Sequence, residues 1–320
     1  PMSHNFDPVA LREYDIRGIV GKTLGEADAY AIGRTFGTII ARDGGSRVAV
    51  GYDGRLSSPM LEAALVNGLN ESGVDVVRVG LGPTPMLYYA ESVLDGVDGG
   101  IQITGSHNPA DYNGFKMVLQ HAPFFGADIQ DLARLAAIGD WETGEGTVSA
   151  VDMVDDYVGR LMAGYAGGAY RIGWDAGNGA SGPVIEKLTK LLPGEHHLLF
   201  TDVDGDFPNH HPDPTDEANL TQLKALVADK KLDFGLAFDG DGDRIGAIDG
   251  AGRVSWGDQI LSILAVPVLK ELPGATIIAD VKASQMLFDR VDELGGVPLM
   301  GRTCHSLIKT KAKETHAPLA

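Results

Sequence analysis

Gly100-Ile101-Gln102-Ile103-Thr104-Gly105-Ser106-His107-Asn108-Pro109 reads as a strand that breaks into a loop. The first four residues have strand character, and the Gly-Ser and Asn-Pro pairs that follow punctuate a turn. Ser106 is therefore expected where a buried strand opens out. A hydroxyl at such a place can be exposed while neighbouring N–H groups point at one spot. An anion-binding or phosphoryl-carrying serine needs that arrangement. On this segment alone an ordinary Ser/Asn/Pro turn stays open.

Outward from this loop the chain reads as repeated α/β units. Residues 27–41 have helical periodicity and lead into the buried strand 47–52. A helix over 59–72, a strand over 76–79 and a short helix opened by Pro83 and Pro85 come next, before the strand that delivers Ser106. Helices alternating with strands at these lengths imply a sheet covered on both faces. A polar, glycine-containing stretch over 140–146 places a boundary near residue 150. Beyond it are expected a strand at 170–174, a helix at 184–192 and a short strand at 198–200. A helix at 219–230 and strands at 234–238 and 245–248 complete the second unit. A third unit from about 253 offers a helix over 258–272, kinked or interrupted at Pro267, then a strand at 276–280 and a helix at 284–294. The domains expected are thus 1–150, carrying the serine loop, then 151–252 and 253–320.

Asp239-Gly240-Asp241-Gly242-Asp243-Arg244 follows the apolar strand Phe234–Phe238. Three carboxylates at alternate positions, with glycines between, can curl so that all three face one hard cation. Mg²⁺ suits such an oxygen site and keeps positions open for a phosphate. An EF-hand is excluded by spacing, because its loop needs Gly at the sixth position and Glu at the twelfth, where this chain has Arg244 and Gly250. A solvated acidic turn is the plain alternative, and Asp202-Val203-Asp204-Gly205-Asp206 shows how common such runs are.

The serine loop and the acidic loop occur together with Tyr14-Asp15-Ile16-Arg17-Gly18, Asp111-Tyr112-Asn113-Gly114-Phe115-Lys116 and Phe207-Pro208-Asn209-His210-His211-Pro212. In that order and spacing they resemble the α-D-phosphohexomutases, and most of all the bacterial phosphomannomutase/phosphoglucomutase group. The resemblance implies tandem α/β mixed-sheet domains of the phosphohexomutase type, with the third domain incomplete and the fourth absent. It implies interconversion of hexose 1-phosphate and hexose 6-phosphate, of glucose or mannose, through a phosphoserine at Ser106. The intermediate would be a bisphosphorylated sugar, with hexose 1,6-bisphosphate as activator. Mg²⁺ would be held by Asp239, Asp241, Asp243 and an oxygen of the phosphorylated Ser106.

Further roles follow from the same resemblance. Arg17 and Arg244 match arginines flanking the phosphoserine, where a planar guanidinium holds phosphate in two directions. Lys116 matches a lysine near the transferring group, its pKa expected to be lowered by burial near cations. Tyr14 is implied as a pocket wall, and His107 and Asn108 as residues that shape the serine loop. Lys282 and His305 match third-domain residues that meet the sugar or its phosphate. Cys304 stands where the family has glycine, and would strain a turn that needs positive φ. The family continues into a Gly-Glu-x-Ser-Gly loop and a fourth domain that grips the distal phosphate, whereas this chain stops at Leu319-Ala320. The expectation is a truncated mutase, phosphorylated on Ser106 but weak in turnover. The alternative is a catalytically incomplete phosphate- and metal-binding fragment that needs a complementary C-terminal segment. Exposed core in the third domain would favour aggregation or pairing.

A third class of function has its own motif. Gly177-Asn178-Gly179-Ala180-Ser181-Gly182 satisfies G-x-G-x-x-G, with Asp202 about 20 residues on, as in an NAD-dependent oxidoreductase. Hydride transfer leaves the serine and acidic loops without a role. Composition narrows the remainder. A net charge of −18 argues against nucleic acid or anionic membrane as partners, both of which need basic patches. The longest apolar run, 260–269, is too short to span a bilayer and contains Ser262 and Pro267. A single cysteine, Cys304, and no basic-then-apolar leader point to a reducing compartment, so a cytoplasmic protein is expected.

Overall fold

The strand that delivers Ser106 lies inside a mixed sheet. Its strands hydrogen-bond in the order β1 (Ile16–Ile19), β5 (Tyr112–Leu119), β4 (Gly99–Ile103), β2 (Arg47–Tyr52), β3 (Asp75–Leu81) and β7 (Val148–Ala150), with β6 (Ala122–Phe124) on β5. β4, β2, β3 and β7 are parallel, while β5 runs antiparallel to β1, β4 and β6. Every residue of β4 is buried, as expected of a parallel strand covered on both faces. Helices α1 (Glu26–Arg42), α2 (Ser58–Glu71) and α4 (Ala127–Ile138) cover one face. There Phe36, Leu65 and Leu132 pack with Val48, Ile101 and Phe115. Helices α3 (Thr84–Val93) and α5 (Val154–Ala163) cover the other, through Met86, Leu87 and Val158 on Ala49 and Val77. Each large apolar side chain fully buried in this way contributes about 1.5–3 kcal/mol.

The computed structural model describes residues 3–303 and 305–320, the side chains of His305 and Ser306 excepted. The chain divides into two units, Pro1–Ile245 with Gly250–Gly252, and Gly246–Asp249 with Arg253–Ala320. The first unit also contains β8 (Tyr170–Asp175), flanked in parallel by β9 (Gly194–Leu199) and β10 (Phe234–Phe238), with α6 (Gly182–Leu191) and α7 (Thr221–Lys230). Its core is built on Ile172, Ile185 and Trp174, which stacks on Phe238 with ring centroids 6.3 Å apart. β11 (Ile245–Asp249) pairs antiparallel with β12 (Val254–Ser255), and the second unit holds the parallel pair β13 (Thr276–Asp280) and β14 (Val297–Gly301). α8 (Gly257–Glu271) and α9 (Gln285–Glu293) close its core through Ala265, Leu269, Leu287 and Val291. α10 (His305–Thr315) follows β14. Among the described residues no helix is long and apolar enough to cross a membrane.

Several elements differ from the sequence reading. The helix over 258–272 is not interrupted at Pro267 but runs through it. The carbonyl that Pro267 leaves without a helical donor belongs to Ile263, a residue 63 % exposed. The strand expected at 198–200 begins instead at Gly194, as the outermost strand of its parallel set, so its polar Glu-His-His start meets solvent. Between Ile103 and Asp140, where the sequence reading supplies no element, lie β5, β6 and α4.

Candidate active site

Because β2 and β4 are parallel neighbours with Tyr52 opposite Ile103, the segments leaving their C-terminal ends meet. Asp53 Oδ2 accepts from Thr104 Oγ1 at 2.8 Å and from the Gly105 N–H at 3.0 Å. Asp53 Oδ1 accepts from Ser58 Oγ and the Arg55 N–H. Arg55, whose side chain has no exposure, pairs its Nε with Asp53 at 3.2 Å. It donates to the carbonyls of Ser106 at 3.1 Å, Asn108 at 2.7 Å and Tyr112 at 3.0 Å, and also to that of Pro109. Gathering four carbonyls onto one guanidinium turns the loop inside out. Ser106 is held in the left-handed region at φ 52°, and its N–H donates to Thr104 Oγ1 at 2.8 Å. Gly105 is obligatory here, since a Cβ would lie 2.2 Å from Arg55 Nε.

The acidic loop leaves the end of β10. Gly242 takes φ +70°, and a Cβ on Gly240 would lie 2.4 Å from the Ser106 carbonyl, so the two loops approach backbone to backbone. Ser106 Oγ donates to Asp239 Oδ2 at 3.0 Å. One oxygen from each of Asp239, Asp241 and Asp243 falls within 4.8 Å of the others. Their remaining oxygens are taken. Asp239 Oδ1 accepts the Arg244 N–H, and Asp241 Oδ2 accepts from Thr84 Oγ1 and Lys116 Nζ. Asp243 Oδ2 accepts from Lys116 at 2.7 Å. Asp241 Oδ1 and Asp243 Oδ1 are buried without a hydrogen-bond partner. Two unsatisfied buried carboxylate oxygens beside a third carboxylate are costly by themselves, and as a donor set they suit a hard divalent cation. Burial and the adjacent Asp241 and Asp243 hold Asp239 well above the usual carboxylate range. Burial acts the same way on Asp241, but Lys116 and the hydroxyl of Thr84 outweigh it and hold that carboxyl low.

The cations come from β1 and β5. Phe115 and Met117 enter the core, so the alternation of a strand sends Gly114 and Lys116 to the opposite face. Arg17 lies across from Gly114. Lys116 Nζ bridges Asp241 and Asp243 at 2.8 and 2.7 Å. The expected lowering of its pKa is thus corrected: burial works in that direction, but two carboxylates at contact distance more than offset it and hold the ammonium protonated. Arg17, 6 % exposed, donates to Asn108 Oδ1 at 2.6 Å and pairs with Asp15 at 2.6 Å, leaving Nε buried without a partner. His107 Nδ1 stands 3.4 Å from Asp213 Oδ2. Arg244 is exposed, and its charge is felt at His107, where it and the dominant effect of burial lower the imidazole pKa. Tyr14 is 41 % exposed. Lys282 belongs to the second unit, exposed at the turn after β13, where its N–H donates to Asp280. Cys304 and the His305 side chain lie outside the described residues.

Residues absent from the sequence reading complete the arrangement. Asp53, Arg55, Thr84 and Asp213 have no role in it, and His210 appears there only inside a motif. His210 donates through Nε2 to Asp175 at 2.7 Å and through Nδ1 to the His211 carbonyl at 2.8 Å. With an acceptor at each nitrogen the ring is satisfied only as imidazolium. Its pKa is raised: burial opposes this, and the Asp175 carboxylate prevails. A folded pKa above the unfolded value of about 6.5 gives stability that is fully present below that pH. That stability is lost as pH climbs through the folded value. Replacing His210 by Gln is therefore expected to cost roughly 1.5–3 kcal/mol at pH 6. The difference from wild type should shrink with rising pH when melting is followed across pH 6 to 9; a pH-independent difference would contradict the assignment.

The glycine motif at 177–182 has a packing explanation. A Cβ on Gly182 would lie 1.9 Å from the Thr201 carbonyl, and one on Gly179 would lie 2.8 Å from that of Gly240. The Ala180 N–H donates to the Gly240 carbonyl, and Asn178 Nδ2 donates to the Asp202 carbonyl. These groups seat the acidic loop against the start of α6.

Models of the phosphoglucomutase/phosphomannomutase α/β/α domains I, II and III match residues 9–137, 156–252 and 256–320. A phosphomannomutase/phosphoglucomutase of Pseudomonas putida is 45% identical over 311 residues, covering 97% of this chain and 67% of that protein. A phosphoglucomutase of Neisseria meningitidis serogroup A is 42% identical over 313 residues, covering 97% and 68%. The crystal structure of a phosphoglucomutase/phosphomannomutase family protein from Burkholderia thailandensis superimposes with a TM-score of 0.95 at 46% identity, covering 98% of this chain and 70% of that one.

Proposed function

The chain belongs to the phosphoglucomutase/phosphomannomutase family, and from that premise we propose that it interconverts hexose 1-phosphates and hexose 6-phosphates of glucose and mannose through a phosphoryl group carried on Ser106. The observation that carries the reading is the 3.0 Å contact between Ser106 Oγ and Asp239 Oδ2. It sets the serine loop against the acidic loop. We read residues 1–150, 151–252 and 253–320 as three domains contributing the serine loop, the acidic loop and sugar contacts. The sugar is received as a phosphosugar, with hexose 1,6-bisphosphate as activator. The solitary cysteine favours the cytoplasm.

In the forward step the bond from phosphorus to Ser106 Oγ breaks and one to a sugar hydroxyl oxygen forms. The hydroxyl gives up its proton, and Ser106 regains one. The bisphosphorylated sugar then turns round and returns its other phosphate to Ser106. Mg²⁺ bound by Asp239, Asp241, Asp243 and an oxygen of phosphorylated Ser106 would supply charge neutralisation on the phosphate oxygens. The protein's task is positioning and electrostatics. Arg17 keeps a buried Nε without a partner, Arg244 adds a second guanidinium, and Lys116 stays charged to oppose negative charge on the transferring group. Asn108 and His107 hold the loop through Arg17 and Asp213. Tyr14, Lys282 and His305 are assigned to the sugar and its phosphate.

A coupled assay on glucose 1-phosphate and mannose 1-phosphate, with Mg²⁺ and a trace of bisphosphate, tests the assignment. Appearance of hexose 6-phosphate supports it, and absence with both sugars defeats it. Chelation of divalent cations is expected to lower the rate by about 10²-fold or more, because several kcal/mol of charge stabilisation is withdrawn. Readmitted Mg²⁺ should restore the wild type but not Asp241→Asn at the same concentration.

A further inference from the structure

Thr84 opens α3 and is fully buried. It reaches across 157 positions of sequence to bond one residue of the acidic loop twice. Its N–H donates to the Asp241 carbonyl at 2.8 Å, and its Oγ1 donates to Asp241 Oδ2. The first bond spends a backbone donor that every helix start leaves free. It places Asp241 at the end of α3 where the dipole favours negative charge. The second bond acts on the carboxylate itself.

A carboxylate presents two equivalent oxygens and turns about its Cβ–Cγ bond. In Asp241 the equivalence is broken: Oδ2 is held by Thr84 and Lys116, while Oδ1 is buried without a partner beside Asp239 and Asp243. Lys116 cannot set this orientation alone, because its ammonium bridges Asp241 and Asp243 and follows either carboxylate. The hydroxyl of Thr84 touches only Asp241 among the three.

We propose that Thr84 is a positioning residue for the cation site, fixing Asp241 so that its Oδ1 faces the ion before the ion arrives. The inference rests on reading the acidic triad as a divalent-cation site. Outer partners of metal ligands are typically worth 10–100-fold in affinity, and loss of the hydroxyl should weaken Mg²⁺ binding by about that factor. Thr84→Val replaces the hydroxyl with a methyl of similar size, Thr84→Ala removes it outright, and Thr84→Ser keeps it.

Mg²⁺ titration calorimetry on the whole chain distinguishes the outcomes, with Ser106 brought to one phosphorylation state and checked by intact mass. Thr84→Val and Thr84→Ala should bind about 10–100-fold more weakly, with Thr84→Ser close to wild type and all three melting cooperatively. Mg²⁺ binding as tight as wild type in either hydroxyl-free variant overturns the proposal and leaves Thr84 a packing residue. If Thr84→Val does not fold, Thr84→Ala, which brings no methyl against the carboxylate, carries the comparison. A wild-type chain that takes up no Mg²⁺ fails the cation reading first, and this inference with it.

Discussion

Ser106→Ala is expected to lose turnover by on the order of 10⁴-fold or more, the scale on which a covalent route collapses when its nucleophile is removed. Only the hydroxyl changes. The left-handed backbone at 106 costs alanine about what it costs serine, since neither carries a branched Cβ and both pay of order 1–2 kcal/mol for φ 52°. The N–H bond to Thr104 and the carbonyl bond to Arg55 survive the substitution. The loop should therefore keep its shape, and the triad should still take up Mg²⁺ by calorimetry. Intact mass after incubation with hexose 1,6-bisphosphate should find one added phosphoryl group on the wild-type chain and none on the variant. A variant that still turns over, or one that gains the group elsewhere, would move the nucleophile away from this loop.

Both loops were legible in sequence for the same reason. Each packs its chemistry into five or six consecutive residues, and each follows a short apolar run that reads as a strand. The spacing Asp239, Asp241, Asp243 recurs at Asp202, Asp204 and Asp206, so the acidic loop stands out by the longer apolar strand Phe234–Phe238 that leads into it. The supporting residues carry no such local mark. Asp53 and Arg55 look like any polar turn after a strand, and Thr84 like a helix start next to Pro83 and Pro85. They meet the site because β2 and β4 are parallel neighbours and because α3 begins beside the acidic loop. Adjacency of that kind is a property of sheet order, which the sequence does not print.

The pKa of Lys116 is more instructive. The residue's position was legible, but the sign of its environment depended on which charges lay within 3 Å, and two carboxylates lay there at 2.8 and 2.7 Å. The glycine motif at 177–182 is open to two readings for a related reason. A tight approach to Gly240 and Thr201 asks for the same residues as a nucleotide's pyrophosphate. Without the neighbouring backbone, periodicity alone cannot separate the two.

Arg55→Met should produce the largest loss of stability of any single substitution near the site. Methionine keeps the length and apolar stem of the side chain and removes the guanidinium. Asp53, 1 % exposed, is then left as a buried charge without its ion-pair partner, and four carbonyls of the serine loop lose one donor group together. Breaking a buried pair from one side typically costs about 3–5 kcal/mol, against a total stability of about 5–15 kcal/mol for a folded protein. Arg55→Lys should fall between, because an ammonium has three donors and cannot span acceptors spread over 106–112. Asp53→Asn combined with Arg55→Met removes the stranded charge, so urea unfolding should recover part of the loss. Phosphorylation of Ser106 by the bisphosphate should nevertheless stay slow in the double variant, since the carbonyls that fold the loop around the guanidinium remain ungathered. A single Arg55→Met variant that loses less than about 1 kcal/mol would behave like a broken surface ion pair, and the serine loop would then owe its shape to some other group.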